Sequence, residues 1–491
     1  MTITVDTQRV VKKSKNFWSN IHFHPTDAIE DDWGQKILDE IAKDKVAKSV
    51  RMYAMLEDIV TEDNEGELHY DFTLTDTRLD YMLSRGFNIF LSYNFIPPCI
   101  STDTEQTSTV CKRKTRYKGK YILTAKPKSY EKWEEICRKY TEHIVERYGI
   151  DEVSKWHLQC YNEPDVGAFF MREATVSERC EEYCKLYAAF VRGALSVSDR
   201  LSVGGPALAA HYNFLAGFLD FVRKNSLRLD FICFHSYGTD PHLINNGSGR
   251  LCVENHLKKI YDVMLMAKER GFSHIPLIID EWGATTGGFL NIEDCPALIF
   301  RETPAFAAYF VKLFIMLNSL NLPIEKLMIC LSGQHEMQTD FSGFRNFFTL
   351  NFYKKPIYNA YVLAAKLFEN ELYFENSEEC KELSIYPTAS DDGRVSVILA
   401  YASENFEEGE PIEVELKFVG TGSSTATLTA IDSTHANAIS AYRALGCPDS
   451  PTESEKTSIA TAATLRSERV DVNNSTVKIK IEQSSVILVE L

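Results

Sequence analysis

Hydrophobic positions follow two different rhythms along this chain, and the change falls near residue 370. Before it, short apolar runs alternate with longer amphipathic stretches. The runs Phe17–Phe23, Val46–Tyr53, Phe87–Tyr93, Lys155–Tyr161, Leu201–Gly204, Leu229–His235, Ile275–Glu281 and Leu327–Leu331 have strand character. Tyr130–Tyr148, Ser177–Val197, Leu251–Arg270 and Pro304–Leu320 space their apolar residues as helices do. Eight strands with intervening helices predict an α/β fold, a (β/α)8 TIM barrel over residues 14–370, whose working face lies at the C-terminal strand ends.

Beyond residue 370 the period becomes two. Val395–Tyr401, Ile412–Leu416 and Val477–Ile481 are separated by Gly, Asp, Asn and Ser, which predicts an antiparallel β-sandwich over residues 371–491. Thr2–Val5 alternates in the same way ahead of a polar break at Lys12, Lys13 and Lys15, so residues 1–13 are expected to join that sandwich. A polar insertion at about residues 99–128 follows the third strand and is expected to form a lid or a wall over the barrel face.

Two strand ends carry the candidate chemistry. The fourth run breaks at Asn162-Glu163-Pro164, where proline removes a backbone donor and biases Glu163 toward extended geometry. The seventh ends in Asp280-Glu281-Trp282. Either glutamate alone also reads as a turn residue or a helix cap. On the upper face of one barrel the two would meet, and paired carboxyl groups are what glycoside hydrolysis needs. One protonates the leaving oxygen, and the Asn162 amide stands ready to hold a neighbouring hydroxyl.

Composition changes this picture little but excludes several partners. The 491 residues suffice for a barrel and a smaller module, and 44% hydrophobic with 25% charged residues describes a soluble globular chain. A net charge of −16 argues against nucleic acid and anionic membranes. No apolar run is long enough to span a bilayer, and Met1–Asp6 lacks the basic and apolar regions of a secretory leader. The 12 cysteines form no framework, which suits reduced thiols and a cytoplasmic location.

Seven motifs in order give the chain a resemblance that runs nearly end to end. Asn162-Glu163-Pro164-Asp165, Val203-Gly204-Gly205-Pro206-Ala207, the His235-Ser236-Tyr237 strand and Asp280-Glu281-Trp282 are similar to motifs of glycoside hydrolase family 39, the β-xylosidase and α-L-iduronidase family. Tyr70-Asp71-Phe72-Thr73, Tyr130-Glu131-Lys132-Trp133 and Lys355-Pro356-Ile357-Tyr358-Asn359-Ala360 extend the match, and the layout resembles the xylosidase branch. The resemblance implies a retaining, exo-acting double displacement on an oligosaccharide or small glycoside, with no cofactor and no metal. Glu281 would be the nucleophile and Glu163 the acid and then the base, their carboxyl groups roughly 5–5.5 Å apart. Asn162 would hold the sugar 2-hydroxyl, and His235 and Tyr237 would orient or hydrogen-bond the nucleophile. Trp282 and Glu336 complete the expected sugar contacts, and subunits are expected to associate as a homo-oligomer. The chemistry also asks for a raised pKa at Glu163 and an ionised Glu281.

Three places depart from the family pattern. The first strand ends in Ile21-His22-Phe23-His24-Pro25 rather than a Gly- and Arg-containing turn, and Arg51-Met52-Tyr53 stands where a histidine is usual. The eighth strand runs into Cys330-Leu331-Ser332-Gly333-Gln334-His335-Glu336-Met337-Gln338, without the Trp and acidic loop of the xylosidases. A rewritten sugar wall admits a β-xyloside or another pentoside or hexoside, such as an arabinoside or galactoside. His22 and His24 are expected to contact sugar hydroxyls, although a His-x-His there also begins a metal-dependent amidohydrolase site. A catalytically dead carbohydrate-binding protein is the third reading.

Overall fold

The computed structural model describes residues 1–23, 29–109, 122–333, 336–403 and 409–491. Asn20–Phe23, Ser49–Tyr53, Asn88–Tyr93, His157–Cys160, Ser202–Leu208, Phe231–Thr239, Leu277–Thr285 and Ile324–Leu331 close a parallel barrel in chain order. The eighth strand pairs with the first, Met328 opposite Asn20. The fifth strand continues past Gly204, where apolar patterning stops, because bulk is excluded there. A Cβ on Gly204 would lie 2.5 Å from the Phe231 ring, and one on Gly205 2.4 Å from the Tyr183 hydroxyl.

Strand alternation sorts the side chains between two environments. Ile21, Val50, Met52, Leu158, Phe234, Ile279 and Ile329 face outward and pack in the large core under the helices. Phe90, Ala207, Phe231, Cys233, Ile278 and Met328 face inward and fill the barrel as a separate apolar layer. The next inward layer is polar: Arg51, Gln159, His235 and Asp280 are all fully buried.

Helix Tyr130–Tyr148 starts at Ser129, whose side chain accepts from the Lys132 N–H, and Val176–Leu195 starts at a Thr175/Glu178 capping box. Helix Pro304–Ser319 is apolar nearly all round because it is covered on both sides. It packs on the barrel and on the second sheet, with Phe314 stacked 4.4 Å from Trp18 and edge-on to Tyr386.

That second sheet has nine strands, mostly antiparallel. Thr2–Lys13 lies in its interior, antiparallel to Asn370–Asn376 and parallel to Ile412–Val419, with Ile3 and Val5 fully buried. Register breaks between Asp6 and Val10 and between Val10 and Lys12 bend this strand. Residues from distant strands, such as Val397, Leu399, Leu416 and Ile479, share one core, so the sheet folds over on itself. Two helices that the period-two pattern does not predict, Ala438–Ala444 and Glu453–Ala462, interrupt this region. The second opens on a Thr452/Glu455 capping box, which is the sequence cue for it.

Residues 101–109 and 122–128 of the insertion run antiparallel, with bridges Ser101–Pro127 and Thr107–Leu123. They are tied to the loop after the fourth barrel strand by Met171 N–H donating to Thr124 O and Arg172 N–H donating to Gln106 Oε1. Residues 110–121, in the middle of the insertion, lie outside the described residues. Among the described residues no helix is long and apolar enough to cross a membrane.

Candidate active site

Alternation alone aims one of two successive residues into a barrel. On the seventh strand both Asp280 and Glu281 point inward. The pairing with the sixth strand slips there, with Ile279 opposite Phe234 and Glu281 opposite His235, so one residue is gained. Trp282 then faces outward again. It is fully buried, stacked 5.8 Å from Phe310 and edge-on to Phe306, and this overturns its expected place against the sugar.

Glu281 lies at the centre of the polar layer. Its Oε1 accepts from Arg51 Nη1 at 2.9 Å and lies 3.4 Å from His22 Nε2. Its Oε2 accepts from the Tyr237 hydroxyl at 2.6 Å. Burial alone would raise its pKa, but the charges of His235, His22 and Arg51 and the Tyr237 hydrogen bond hold it well below the usual carboxylate range.

Glu163 is the contrasting group. It leaves the fourth strand with φ at 46°, in the left-handed region rather than the extended geometry expected before Pro164. Such a backbone costs about 1–3 kcal/mol and persists only where neighbours fix it. Asp165 does so: its carboxylate accepts from the N–H groups of Ala209, Ala210 and His211 at 2.7–2.9 Å, tying this loop to the one after the fifth strand. Burial raises the pKa of Glu163, with Glu281 and Asp165 adding to the rise and His235 opposing it.

His235 links the two glutamates. Its Nδ1 lies 2.6 Å from Glu163 Oε1 and 3.5 Å from Glu281 Oε2, so its hydrogen bond goes to Glu163 rather than to the expected nucleophile. Burial would lower its pKa, yet Glu281, Asp280 and Glu163 raise it to about 10. One oxygen of each glutamate and a nitrogen of His235 all lie within 4.8 Å of one another.

Arg51, named in the sequence only as a departure from pattern, is the largest omission from the expected site. Its guanidinium donates to Gln159 Oε1 at 2.8 and 3.0 Å, to Asn162 Oδ1 at 2.6 Å and to Glu281. It also pairs with Asp280 at 3.2 Å. Asp280 in turn accepts from Gln159 Nε2 at 2.7 Å. An arginine at an inward position of a barrel strand must find carboxylates, and that was the available signal. Asn162 is buried, and its oxygen is held by Arg51. Arg345 extends the network from the loop after the eighth strand. It donates to Cys330 O and Thr285 O and lies over the Tyr237 ring.

Of the remaining candidates, Glu336 is buried in that same loop, its N–H on Gly333 O. His24 lies outside the described residues, so a His22–His24 pair has no geometry here. Among the described residues two donor clusters have the spacing to hold a cation, Glu163–His235–Glu281 and His22–Glu281–Cys330. Both share Glu281, whose two oxygens already bond Arg51 and Tyr237. The layer as built suits two carboxyl groups of opposed acidity acting on one bond.

Residues 1–475 match the family described as glycosyl hydrolases family 39. A β-xylosidase of Caldicellulosiruptor saccharolyticus is 26% identical over 499 residues, covering 97% of this chain and 94% of its own. A β-xylosidase of Geobacillus stearothermophilus is 28% identical over 258 residues, 51% of this chain and 47% of its own. The crystal structure of a monomeric β-xylosidase from Caulobacter crescentus is similar in fold, with a TM-score of 0.82 at 21% identity over 100% of this chain and 99% of that one.

Proposed function

The chain belongs to the glycosyl hydrolases of family 39, and from that premise we propose that it is a retaining, exo-acting glycosidase using Glu281 as nucleophile and Glu163 as acid and base. The observation that carries this reading is the placing of both carboxyl groups around one imidazole, with an oxygen of each within 4.8 Å. Carboxyl groups about 5–5.5 Å apart go with double displacement, and wider separations with direct attack by water. In the first step Glu281 attacks the anomeric carbon while Glu163 protonates the departing oxygen. In the second, Glu163 takes a proton from water, which displaces Glu281 from the sugar. The opposed acidities of the pair supply a protonated acid and an ionised nucleophile together.

Asn162 contributes an amide nitrogen for the sugar 2-hydroxyl, and Tyr237, Arg51 and His22 hold the nucleophile. A β-xyloside is the first substrate to test, because the similar proteins are named β-xylosidases. An arabinoside or galactoside follows, because the eighth-strand loop is rewritten. A cytoplasmic location is expected from the scattered cysteines of the sequence. A homo-oligomer is expected, and sedimentation velocity checks it.

The deciding experiment is hydrolysis of a panel of nitrophenyl pentosides and hexosides, with and without a chelator, beside Glu281→Ala. Chelator-resistant turnover of one sugar, lost in the variant, is the expected result. Turnover that disappears with the chelator would point to metal chemistry at His22 and His24. No turnover on any sugar would leave a binding protein.

A further inference from the structure

His235 has a carboxylate on each side. Nδ1 faces Glu163 and Glu281, whereas Nε2 faces Asp280 Oδ2 at 3.6 Å, an ion-pair distance just beyond hydrogen-bond length. All of this is closed to solvent at the ring and at Asp280. The two-carboxylate reaction gives Asp280 no part, although it is a fully buried acid at the floor of the site. We propose, resting on the assignment of Glu163 as acid, that Asp280 is a positioning residue that keeps His235 protonated on both nitrogens, so that Nδ1–H donates to Glu163 throughout the reaction.

The benefit falls on one step. As the glycosidic C–O bond breaks, its electron pair goes to the leaving oxygen, which takes the proton from Glu163, while Glu281 closes on the sugar carbon. Negative charge appears on Glu163, and the Nδ1–H bond at 2.6 Å strengthens as it does. Glu163 is thereby a better acid when the leaving group is a poor one. When water attacks in the second step, its proton returns to Glu163.

The surrounding charges fit this role. Arg51 stands behind Asp280, and His22 and the Tyr237 hydroxyl stand behind Glu281. Lys259, bonded to Ala209 O, adds positive charge toward Glu163 and Asp280, although burial lowers its pKa to about 8. The raised pKa of His235 agrees with the carboxylate geometry.

Asp280→Asn isolates the charge. Gln159 and Arg51 both approach Oδ2, so an amide oxygen placed there keeps their contacts, while Oδ1, which has no hydrogen-bond partner, becomes the NH2 group. Two measurements test the proposal. In ¹⁵N-histidine spectra of the wild type, the ring of His235, identified by its loss in His235→Asn, should keep both protons from about pH 5 to 9; an ordinary titration near 6.5 would overturn the proposal. In rates on dinitrophenyl and alkyl glycosides of the preferred sugar, Asp280→Asn should lose at least about tenfold more on the alkyl glycoside, where acid assistance matters most. Equal losses on both would make Asp280 a scaffold residue and end the proposal. Where Asp280→Asn does not fold, Asp280→Ser, which leaves room for a water, gives the same comparison. Wild-type protein without turnover would sink the glycosidase reading and this proposal together, and the wild-type rates alone distinguish that result from failure of the proposal by itself.

Discussion

Replacing Tyr237 with phenylalanine removes one hydroxyl and little else. That hydroxyl donates to Glu281 Oε2 at 2.6 Å, whereas His235 Nδ1 lies 3.5 Å from Oε2 and is bonded to Glu163. Arg345, which reaches the hydroxyl only at 3.4 Å, stays anchored on Cys330 O and Thr285 O. A hydrogen bond to a buried carboxylate contributes about 1.5–3 kcal/mol, and a pKa unit is about 1.4 kcal/mol, so the pKa of Glu281 should rise by about 1–2 units. The sign follows from linkage. Glu281 is depressed in the folded protein, so its stabilising contribution is present above the unfolded carboxyl pKa and is lost as pH falls through the folded value. Tyr237→Phe moves that loss to higher pH. The assay is kcat/KM against pH on the best nitrophenyl glycoside, whose acidic limb reports the ionised nucleophile of the free enzyme. Circular dichroism at each pH separates titration from unfolding. The variant's acidic limb should lie about 1–2 units above the wild type's, while the basic limb, set by Glu163, moves much less. Coincident acidic limbs would refute the placing of Tyr237 on a nucleophilic Glu281.

Arg51→Met should destabilise the fold by about 3–5 kcal/mol, because it leaves the carboxylates of Asp280 and Glu281 buried without their guanidinium partner. Denaturant titration measures this, and a variant as stable as the wild type would contradict it. Glu163→Ala should lose about 10²–10⁴-fold on substrates with poor leaving groups. On a dinitrophenyl glycoside, whose departure needs no acid, added azide should take the place of the activated water and speed turnover, giving a glycosyl azide of retained configuration. An azide of inverted configuration would point to single displacement. Ile3→Ala should cost about 2–5 kcal/mol, since this fully buried residue lies in an interior strand of the nine-stranded sheet. A thermal shift no larger than that of a surface substitution would show that the N-terminal strand contributes little.

The hydrophobic rhythm by itself determined the barrel, because burial on both faces of a parallel strand leaves a short apolar run that needs no distant partner to be recognised. All eight runs contain or overlap a barrel strand, and the Tyr130–Tyr148 helix has the bounds its pattern predicts. The period-two segments likewise marked the second sheet, but not its two helices, whose weak apolar stripes are carried by capping residues instead. The two glutamates were legible because each ends an apolar run. Their neighbours were not. Trp282 was expected against the sugar from the family resemblance, whereas alternation from an inward Glu281 turns it outward, and the register slip that brings Asp280 inward as well could not be read from the sequence. Arg51 was legible as an anomaly and nothing more, since its partners Gln159, Asn162, Asp280 and Glu281 come from strands more than a hundred residues away. The left-handed backbone at Glu163 depends on Asp165 gripping the N–H groups of Ala209–His211. Periodicity is a local property that burial writes into each segment separately. Register, bulges and the closing of ion pairs arise only when the barrel brings eight strand ends together, and those set which way each side chain points and which acid holds its proton.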